Sequence, residues 1–415
     1  MQGKKINKTF LILILGLLSA IGPFSIDMYL PGFSAIATDL HTSVAHISLS
    51  LSSFFIGISV GQFIYGPLLD RYGRKKPLYI GLVLYIIASA GCALAASADM
   101  LITLRLVQAL GSCVGMVASR AIIRDIFPVN EIAKVFSKLM LVIAVSPIIA
   151  PTLGGYLIVA YGWHIVFVVL AIMATLILVA IHFVLPESME ADATVSLRPS
   201  LIIKNYATVL RTPQFYTYAF TGAIAAAGLY AYIAGSPYVF IELFKVTEKQ
   251  YGWIFAAVAL GLITASQVNS LLLKKFTSQQ IIRVAIFCQM LTGAVLFIGS
   301  ANGLLNVYST IALIFLFLSC QGFIFPNTSA LSMAPFHKNA GSASALMGGI
   351  QMIFGALSSV AVSALNNATA MPMTGVMALC SLTSVCILFI GSKIIIYKVR
   401  EEDLKEETLE TISRI

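Results

Sequence analysis

The stretch GPLLDRYGRKKP, residues 66–77, joins two apolar runs at residues 44–68 and 78–97. A helix needs about 20 apolar residues to cross the roughly 30 Å hydrocarbon core of a bilayer, and both runs are long enough. The basic residues of the stretch are typical of a short cytoplasmic loop, where Lys and Arg are retained. Its two glycines allow a tight turn and a close approach of the helices. The stretch therefore predicts two membrane helices joined by a cytoplasmic turn.

Apolar runs of similar length recur along the whole chain. We predict twelve transmembrane helices, at residues 9–30, 44–68, 78–97, 100–119, 137–160, 163–185, 214–240, 251–273, 281–300, 305–328, 342–365 and 373–396. The sequence therefore predicts an all-α integral membrane protein whose twelve transmembrane helices form two pseudo-symmetric six-helix domains. The predicted parts are an N-terminal six-helix bundle at 1–185, a cytoplasmic linker at 186–213, a C-terminal six-helix bundle at 214–397 and a charged cytoplasmic tail at 398–415.

The composition of the 415-residue chain agrees with this class of protein. Apolar residues make up 59% and charged residues 10%, against about 45–50% and about 25% in soluble proteins. A free-standing soluble enzyme, a secreted disulfide-bonded domain and a disordered regulator are therefore excluded. If the N-terminus is cytoplasmic, 23 of the 26 Lys and Arg residues fall in predicted cytoplasmic segments. The net charge of +9 thus indicates topology and attraction to anionic lipids rather than nucleic-acid binding, and both termini are predicted to be cytoplasmic.

An internal repeat relates the two halves of the sequence. Arg71 and Lys275 are 204 residues apart, close to half of the chain, and Pro31 and Pro237 are 206 apart. Such offsets are expected for two parallel copies of a six-helix unit around an axis along the membrane normal. The second copy has Ile233 opposite Asp27, so we expect proton chemistry in the first half.

Asp27 and Arg105 are the two ionisable residues, histidine aside, that lie well inside the predicted spans. A charge at mid-membrane costs about 2.5–3.5 kcal/mol on insertion scales, which makes each residue a functional candidate by default. Asp27 lies about 27 Å along its helix from the cytoplasmic surface, and Arg105 lies about 8 Å below the outer surface. Both therefore fall in the outer half of the membrane, where they could meet or share a cavity.

Two interpretations of this pair remain open. In the first, Asp27 carries the transported proton, because burial favours its neutral form and a nearby arginine favours its charged form. Arg105 keeps its proton and would act as the fixed charge that tunes Asp27. In the second, the two residues are a structural ion pair between the first and fourth helices. Gln108, one turn from Arg105, is a candidate hydrogen-bond partner and cavity residue.

Asp70 is an anion at the membrane surface and needs a cationic or dipolar partner. The predicted eleventh helix begins at the same face near residues 341–344, and a helix N-terminus carries a partial positive charge. A contact between them would hold the two halves together when the cytoplasmic side is closed. The alternative is an ordinary basic loop. The predicted latch consists of Gly66, Asp70, Arg71, Gly73 and Arg74.

The fifth and seventh predicted helices hold further candidates. Pro147 and Pro151 remove backbone donors, while Gly154 and Gly155 thin the helix surface, so this helix can bend and pack closely. A purely structural kink and a role in transport both fit that pattern. Tyr230 is a candidate for lining an apolar drug cavity, with packing or lipid contact as the alternative.

Signals for an enzyme are missing from the sequence. No Cys/His spacing suits a metal ion, and no phosphate-binding loop, zinc-protease motif or nucleophile elbow occurs. We therefore predict a non-enzymatic protein without a cofactor or metal.

The turn at residues 66–77 resembles the loop signature of the major facilitator superfamily, Gly-x-Leu-x-Asp-Arg-x-Gly-Arg-Lys. The segments RLVQALG at 105–111 and SPIIAPTLGG at 146–155 are similar to its Arg-containing helix-four motif and its antiporter motif, with Ala150 where the usual pattern has Gly. Together with DMYLP at 27–31 and GFIFPN at 322–327, these segments resemble the Bcr/CflA family of proton-coupled drug efflux proteins over residues 10–395.

This resemblance implies alternating access between two six-helix domains, in which a drug leaves as protons enter. It also implies a monomer in the cytoplasmic membrane of a bacterium, with protons, small hydrophobic or amphipathic drugs and the lipid bilayer as its partners. The family points to Asp27 and Arg105 for proton coupling. A proton-coupled transporter of one small metabolite remains an alternative, as does, less readily, a passive channel or sensor.

Overall fold

The computed structural model describes residues 8–192, 199–336 and 340–413, and all regular secondary structure in these ranges is helical. A 3-10 helix, Leu30–Gly32, follows α1, and a π-helical turn, Tyr238–Leu243, continues α9. The α-helices are α1 Lys8–Asp27, α2 Phe33–Asp39, α3 Val44–Tyr72, α4 Lys75–Ala93, α5 Ala98–Ile126, α6 Val129–Tyr161, α7 His164–Val184, α8 Pro199–Leu210, α9 Pro213–Pro237, α10 Glu248–Leu272, α11 Ser278–Ala301, α12 Val307–Met333, α13 Ala340–Ala364 and α14 Met371–Ser413.

Within the described ranges, twelve segments are long and apolar enough to cross a membrane, which confirms the predicted number. Several helices extend past the predicted ends. α5 continues to Ile126, whereas the predicted span ends at residue 119. α14 continues through the predicted tail as far as Ser413. A helix keeps its backbone hydrogen bonds where its side chains become polar, so hydropathy alone ends such helices too early.

Side-chain caps fix where several of these helices begin. Thr247 at the start of α10, Thr277 at the start of α11 and Asn306 at the start of α12 each take part in a reciprocal capping box with the residue three positions later. Ser43 and Ser97 accept a hydrogen bond from the first turn of α3 and of α5. These caps satisfy backbone N–H groups that have no partner inside the helix.

The long helices form two halves with the same internal pairing. In the first half, α3 and α4 pack on α5, α1 packs on α6, and α4 packs on α7. In the second half, α10 and α11 pack on α12, α9 packs on α13, and α11 packs on α14. The repeated pairing is what two copies of one six-helix unit would produce. The halves meet through α3 against α13 and α6 against α10.

The interface between the halves is closed at one end of the bundle. We call the end that carries the α3–α4 turn the basic end, and the other the opposite end. Ser48 lies against Ser363, and the Ser52 hydroxyl donates to Ser359 over 2.8 Å. Towards the middle, the Ser59 hydroxyl donates to the Gly349 carbonyl over 3.0 Å. This line of serines joins α3 to α13 from the opposite end inwards.

Glycines allow the second contact between the halves, where α6 meets α10. The Thr152 hydroxyl lies 3.3 Å from the Gly252 carbonyl oxygen. A Cβ at Gly155 would lie 2.6 Å from the Glu248 carbonyl oxygen, so a larger residue would push the helices apart. The first and second halves therefore touch backbone to backbone near the opposite end.

Candidate functional site

Asp27 is the last residue of α1 and is buried, with 4% of its surface exposed. Among the described residues its carboxyl group has no hydrogen-bond or ion-pair partner. The tyrosines Tyr230, Tyr232 and Tyr251 all lie within electrostatic range of it, and all three belong to the second half. The acid thus lies where the two halves come together.

Arg105 is fully buried in α5, with 0% of its surface exposed. Its guanidinium group donates to the Gln108 side-chain oxygen over 2.5 Å and to the Ser25 carbonyl over 2.8 Å. The group also lies over aromatic rings, and the centres of the two nearest, Phe54 and Tyr29, are 4.1 and 4.3 Å away. Its charge is therefore compensated by dipoles and ring faces of the first half.

Asp27 and Arg105 do not meet in this structure. The sequence left open whether the two residues meet, and in this conformation their carboxyl and guanidinium groups form neither a direct contact nor the alternative structural ion pair. Arg105 instead binds α1 at Ser25, two residues before Asp27. Side chains two positions apart on a helix point to nearly opposite sides, because each residue turns the helix by about 100°. The Asp27 side chain therefore points away from the side of α1 that carries the Ser25 side chain. Arg105 contacts the backbone of the helix that ends in Asp27, and not the carboxyl group itself.

A buried polar network surrounds this contact. The Gln108 amide nitrogen donates to the Ser89 hydroxyl over 2.7 Å, so both ends of the amide are engaged inside the first half. The Ser25 and Tyr85 hydroxyls are 2.7 Å apart and tie α1 to α4. The predicted Arg105–Gln108 hydrogen bond is present in the structure.

Tyr230 fills the junction between α3, α9 and α13. Its ring centre lies 4.7 Å from that of Phe55, and its hydroxyl accepts a hydrogen bond from Gln351 over 3.3 Å. A Cβ at Gly355 would lie 2.8 Å from the ring, so the glycine leaves room for it. The structure thus places Tyr230 between the halves and close to Asp27.

Arg74 is the centre of the predicted latch. It is 6% exposed and donates to Asp70 over 2.6 Å and to Asp125 over 2.8 Å. Burial lowers the pKa of Arg74, but the hydrogen bonds to Asp125 and Asp70 outweigh it and raise that pKa above its usual value. Glu187 accepts the Arg74 and Lys75 backbone N–H groups over 2.7 and 3.2 Å, which caps α4.

The other residues of the turn have simpler surroundings. Gly73 has φ of +79°, a conformation that favours glycine. A Cβ at Gly66 would meet open space. The Arg71 guanidinium lies 5.9 Å from the Tyr72 ring centre.

The predicted contact between Asp70 and the start of α13 is not formed. A cavity of about 400 Å³ separates them at the basic end, with Asp70, Gln62 and Arg120 on one side and Gly341 and Ser342 on the other. Asp70 is held by Arg74 instead. The halves are therefore apart at the basic end and joined at the opposite end.

The proline–glycine segment of α6 lies close to α1 and α10. Pro147 and Pro151 lie inside the helix. A Cβ at Gly154 would overlap the Met28 carbonyl oxygen, next to Asp27. Gly155 approaches α10 as described above. The segment thus packs against both the backbone next to Asp27 and the second half.

Asp125 and Glu187 are site residues that the sequence analysis missed. Asp125 lies beyond the predicted end of its span, and Glu187 lies in the linker. Both are far along the chain from Arg74. The excess of basic residues in the turn was the one available signal that acidic partners were needed.

A family model described as the Major Facilitator Superfamily matches residues 15–359. The chain belongs to this superfamily. It is 33% identical over 370 residues to the uncharacterized MFS-type transporter YdgK of Bacillus subtilis, covering 88% of this chain and 91% of that protein. It is 30% identical over 380 residues to the bicyclomycin resistance protein homolog of Haemophilus influenzae, with coverages of 91% and 95%. Multidrug resistance protein D of Escherichia coli is 26% identical over 354 residues, with coverages of 84% and 87%.

Solved structures of other transporters share the fold of this superfamily member. A bacterial homolog of the human lysosomal transporter Spinster, inward-facing and unoccupied, gives a TM-score of 0.70 at 14% identity, with coverages of 94% and 96%. The nucleoside transporter NupG gives 0.72 at 14% identity, with coverages of 93% and 99%. The all-helical fold, the family and the bacterial relatives together make this chain a multi-pass inner-membrane transporter.

Proposed function

We propose that this superfamily member exports small apolar or amphipathic drugs across the cytoplasmic membrane in exchange for protons. Relatives named for multidrug and bicyclomycin resistance support the substrate class. The distribution of Lys and Arg supports an orientation with the basic end and both termini in the cytoplasm. In this proposal the transporter works as a monomer, because the two halves of one chain suffice for alternating access.

The observation that carries the proposal is the unpaired Asp27 at the junction of the halves. A carboxyl group buried without a partner favours its neutral, protonated form. When the halves part at the opposite end, the acid is reached from outside and takes up a proton. In this proposal, further opening at the basic end lets the cytoplasm reach the acid, which then releases its proton; in the present structure the basic end is open but Asp27 is still buried. In this structure the line of serines closes the opposite end, and the cavity opens the basic end.

The driving force is large enough for useful export. One charge that crosses 100 mV gains about 2.3 kcal/mol. A tenfold concentration gradient requires about 1.4 kcal/mol. A single proton driven by that potential therefore supports a roughly forty-fold gradient of a neutral drug.

Reconstitution into proteoliposomes tests the proposal. With an imposed pH gradient, an amphipathic dye is expected to accumulate above its external concentration, and collapse of the gradient by an ionophore should release it. A passive channel would only equilibrate the dye and ignore the gradient. Accumulation of one metabolite, with no response to a panel of drugs, would favour the single-substrate transporter instead.

Asp70→Asn is expected to slow turnover without weakening drug binding. With the carboxylate gone, Asp70 can no longer pair with the positive end of α13 when the basic end closes, while Arg74 keeps Asp125. A charge–dipole contact with its hydrogen bonds contributes up to about 2 kcal/mol, so we expect turnover to fall about tenfold. Rates of dye exchange and equilibrium dye binding measure the two effects separately. Glu190→Gln, at an exposed position of the same end, is the control. Wild-type turnover of Asp70→Asn would exclude the latch.

A further inference from the structure

The cavity at the basic end contains positive charge that its own acids do not match. Its wall includes Arg74, Arg120 and Arg124, and two carboxylates, Asp70 and Asp125. Both carboxylates bind Arg74, over 2.6 and 2.8 Å. In the part of the chain that the structure describes, neither Arg120 nor Arg124 has a hydrogen-bond or ion-pair partner. Two arginines thus face an open volume without a counter-ion.

The placement of these arginines is unfavourable for the protein alone. They are four residues apart on α5, so they share one helix face and repel each other. Arg124 lies in the last turn, where the helix dipole stabilises a cation. Arg120 is half-buried and six residues from the end of the helix, too far for that effect. Exposed cations would set the topology equally well, so topology does not explain a half-buried one.

The wall opposite the arginines is also suited to an anion. It comes from the linker helix and the second half: Asn205 and Tyr206 on α8, and Ser342 and Ser344 near the start of α13. Backbone N–H groups in the first turn of a helix have no partner within it and attract anions. The volume of about 400 Å³ is within the usual range for small-ligand sites.

We propose that this cavity binds an oxyanion, a phosphate or a carboxylate, between the Arg120 and Arg124 side chains and the start of α13. Guanidinium groups pair with such groups through two parallel hydrogen bonds, which gives both strength and geometry. The oxyanion belongs either to a soluble anion or to the headgroup of an anionic lipid. Its binding depends on the open basic end and not on proton coupling, so it stands or falls separately from the proposed export.

Two binding measurements on the purified full chain test this site. Titration calorimetry in a neutral detergent measures the affinity for inorganic phosphate. Native mass spectrometry compares retention of phosphatidylglycerol with that of phosphatidylcholine. For the probe that binds, we expect the double variant Arg120→Gln/Arg124→Gln to bind at least about tenfold more weakly than wild type. Arg211→Gln removes an exposed arginine outside the cavity wall and should bind like wild type.

The outcomes separate the two sources of the oxyanion. Binding of phosphate alone identifies a soluble anion, and preferential retention of phosphatidylglycerol alone identifies a lipid headgroup; each supports the site if the double variant loses it. The inference is overturned if wild type binds neither probe, or if the double variant binds as tightly as Arg211→Gln. Should the double variant not fold, Arg124→Gln alone changes an exposed position and gives the same comparison.

Discussion

Asp27→Asn is expected to abolish gradient-driven drug accumulation while the protein still folds and inserts. Asparagine has nearly the same size as aspartate, but its amide does not ionise in this pH range. It therefore cannot take up and release a proton, and export loses its link to the proton gradient. The accumulation ratio in proteoliposomes should fall from a value of up to about forty at 100 mV to about one. Exchange of dye down its own gradient should continue, because the alternating motion does not require an ionised group there.

The stability of this variant should be equal to that of wild type or higher. Asp27 is buried and has no partner among the described residues, and a neutral amide is less costly to bury than a carboxylate. Asp99→Asn is the matched control, since it removes an exposed carboxylate that pairs with His46 at the opposite end, 3.1 Å away. Full accumulation by Asp27→Asn would rule out the carrier role, and loss of accumulation in both variants would indicate a general effect of charge at that end.

The sequence could predict the fold because the signals that decide it are local. Hydropathy gives the twelve helices, and the distances along the chain place Asp27 and Arg105 at similar depth. Depth, however, says nothing about rotation around the helix axis. Because of the rotation about the helix axis between Ser25 and Asp27, Arg105 reaches the backbone of α1 and not the carboxyl group. That angle depends on how α1 packs against α5 and α6, which a single sequence does not record.

The partners of Arg74 show the same limit at the basic end. Asp70 is four residues away and could be expected to lie on the same face. Asp125 and Glu187 come from the end of α5 and from the linker, and are brought to Arg74 by the tertiary fold. The predicted contact of Asp70 with α13 belongs to a conformation closed at the basic end. In the present structure, which is open at that end, Asp70 pairs with Arg74 instead.

Arg105 is expected to position Asp27 for proton exchange through the end of α1. The last carbonyl groups of a helix lack partners within it, and Arg105 binds one of them at Ser25. The guanidinium thereby fixes the helix end from which Asp27 projects. In Arg105→Gln the new side chain is too short to donate hydrogen bonds to both Ser25 and Gln108. Each buried polar group left without a hydrogen bond costs about 1–3 kcal/mol. Removal of a buried charge offsets part of that loss, so we expect a moderate fall in melting temperature.

If Arg105 acts through Asp27, Arg105→Gln should lose more transport activity than its moderate loss of stability explains. We expect accumulation by Arg105→Gln, normalised to correctly inserted protein, to drop at least about tenfold, as for the loss of about 1.4 kcal/mol or more. Arg105→Lys keeps the charge over the Tyr29 and Phe54 rings but not the forked geometry, so it should retain an intermediate activity. Arg211→Gln, at an exposed site, is the control. A purely structural role predicts fewer folded molecules with an unchanged number of protons per exported drug. If that ratio is unchanged in Arg105→Gln, Arg105 does not position the acid and serves only to join α5 to α1.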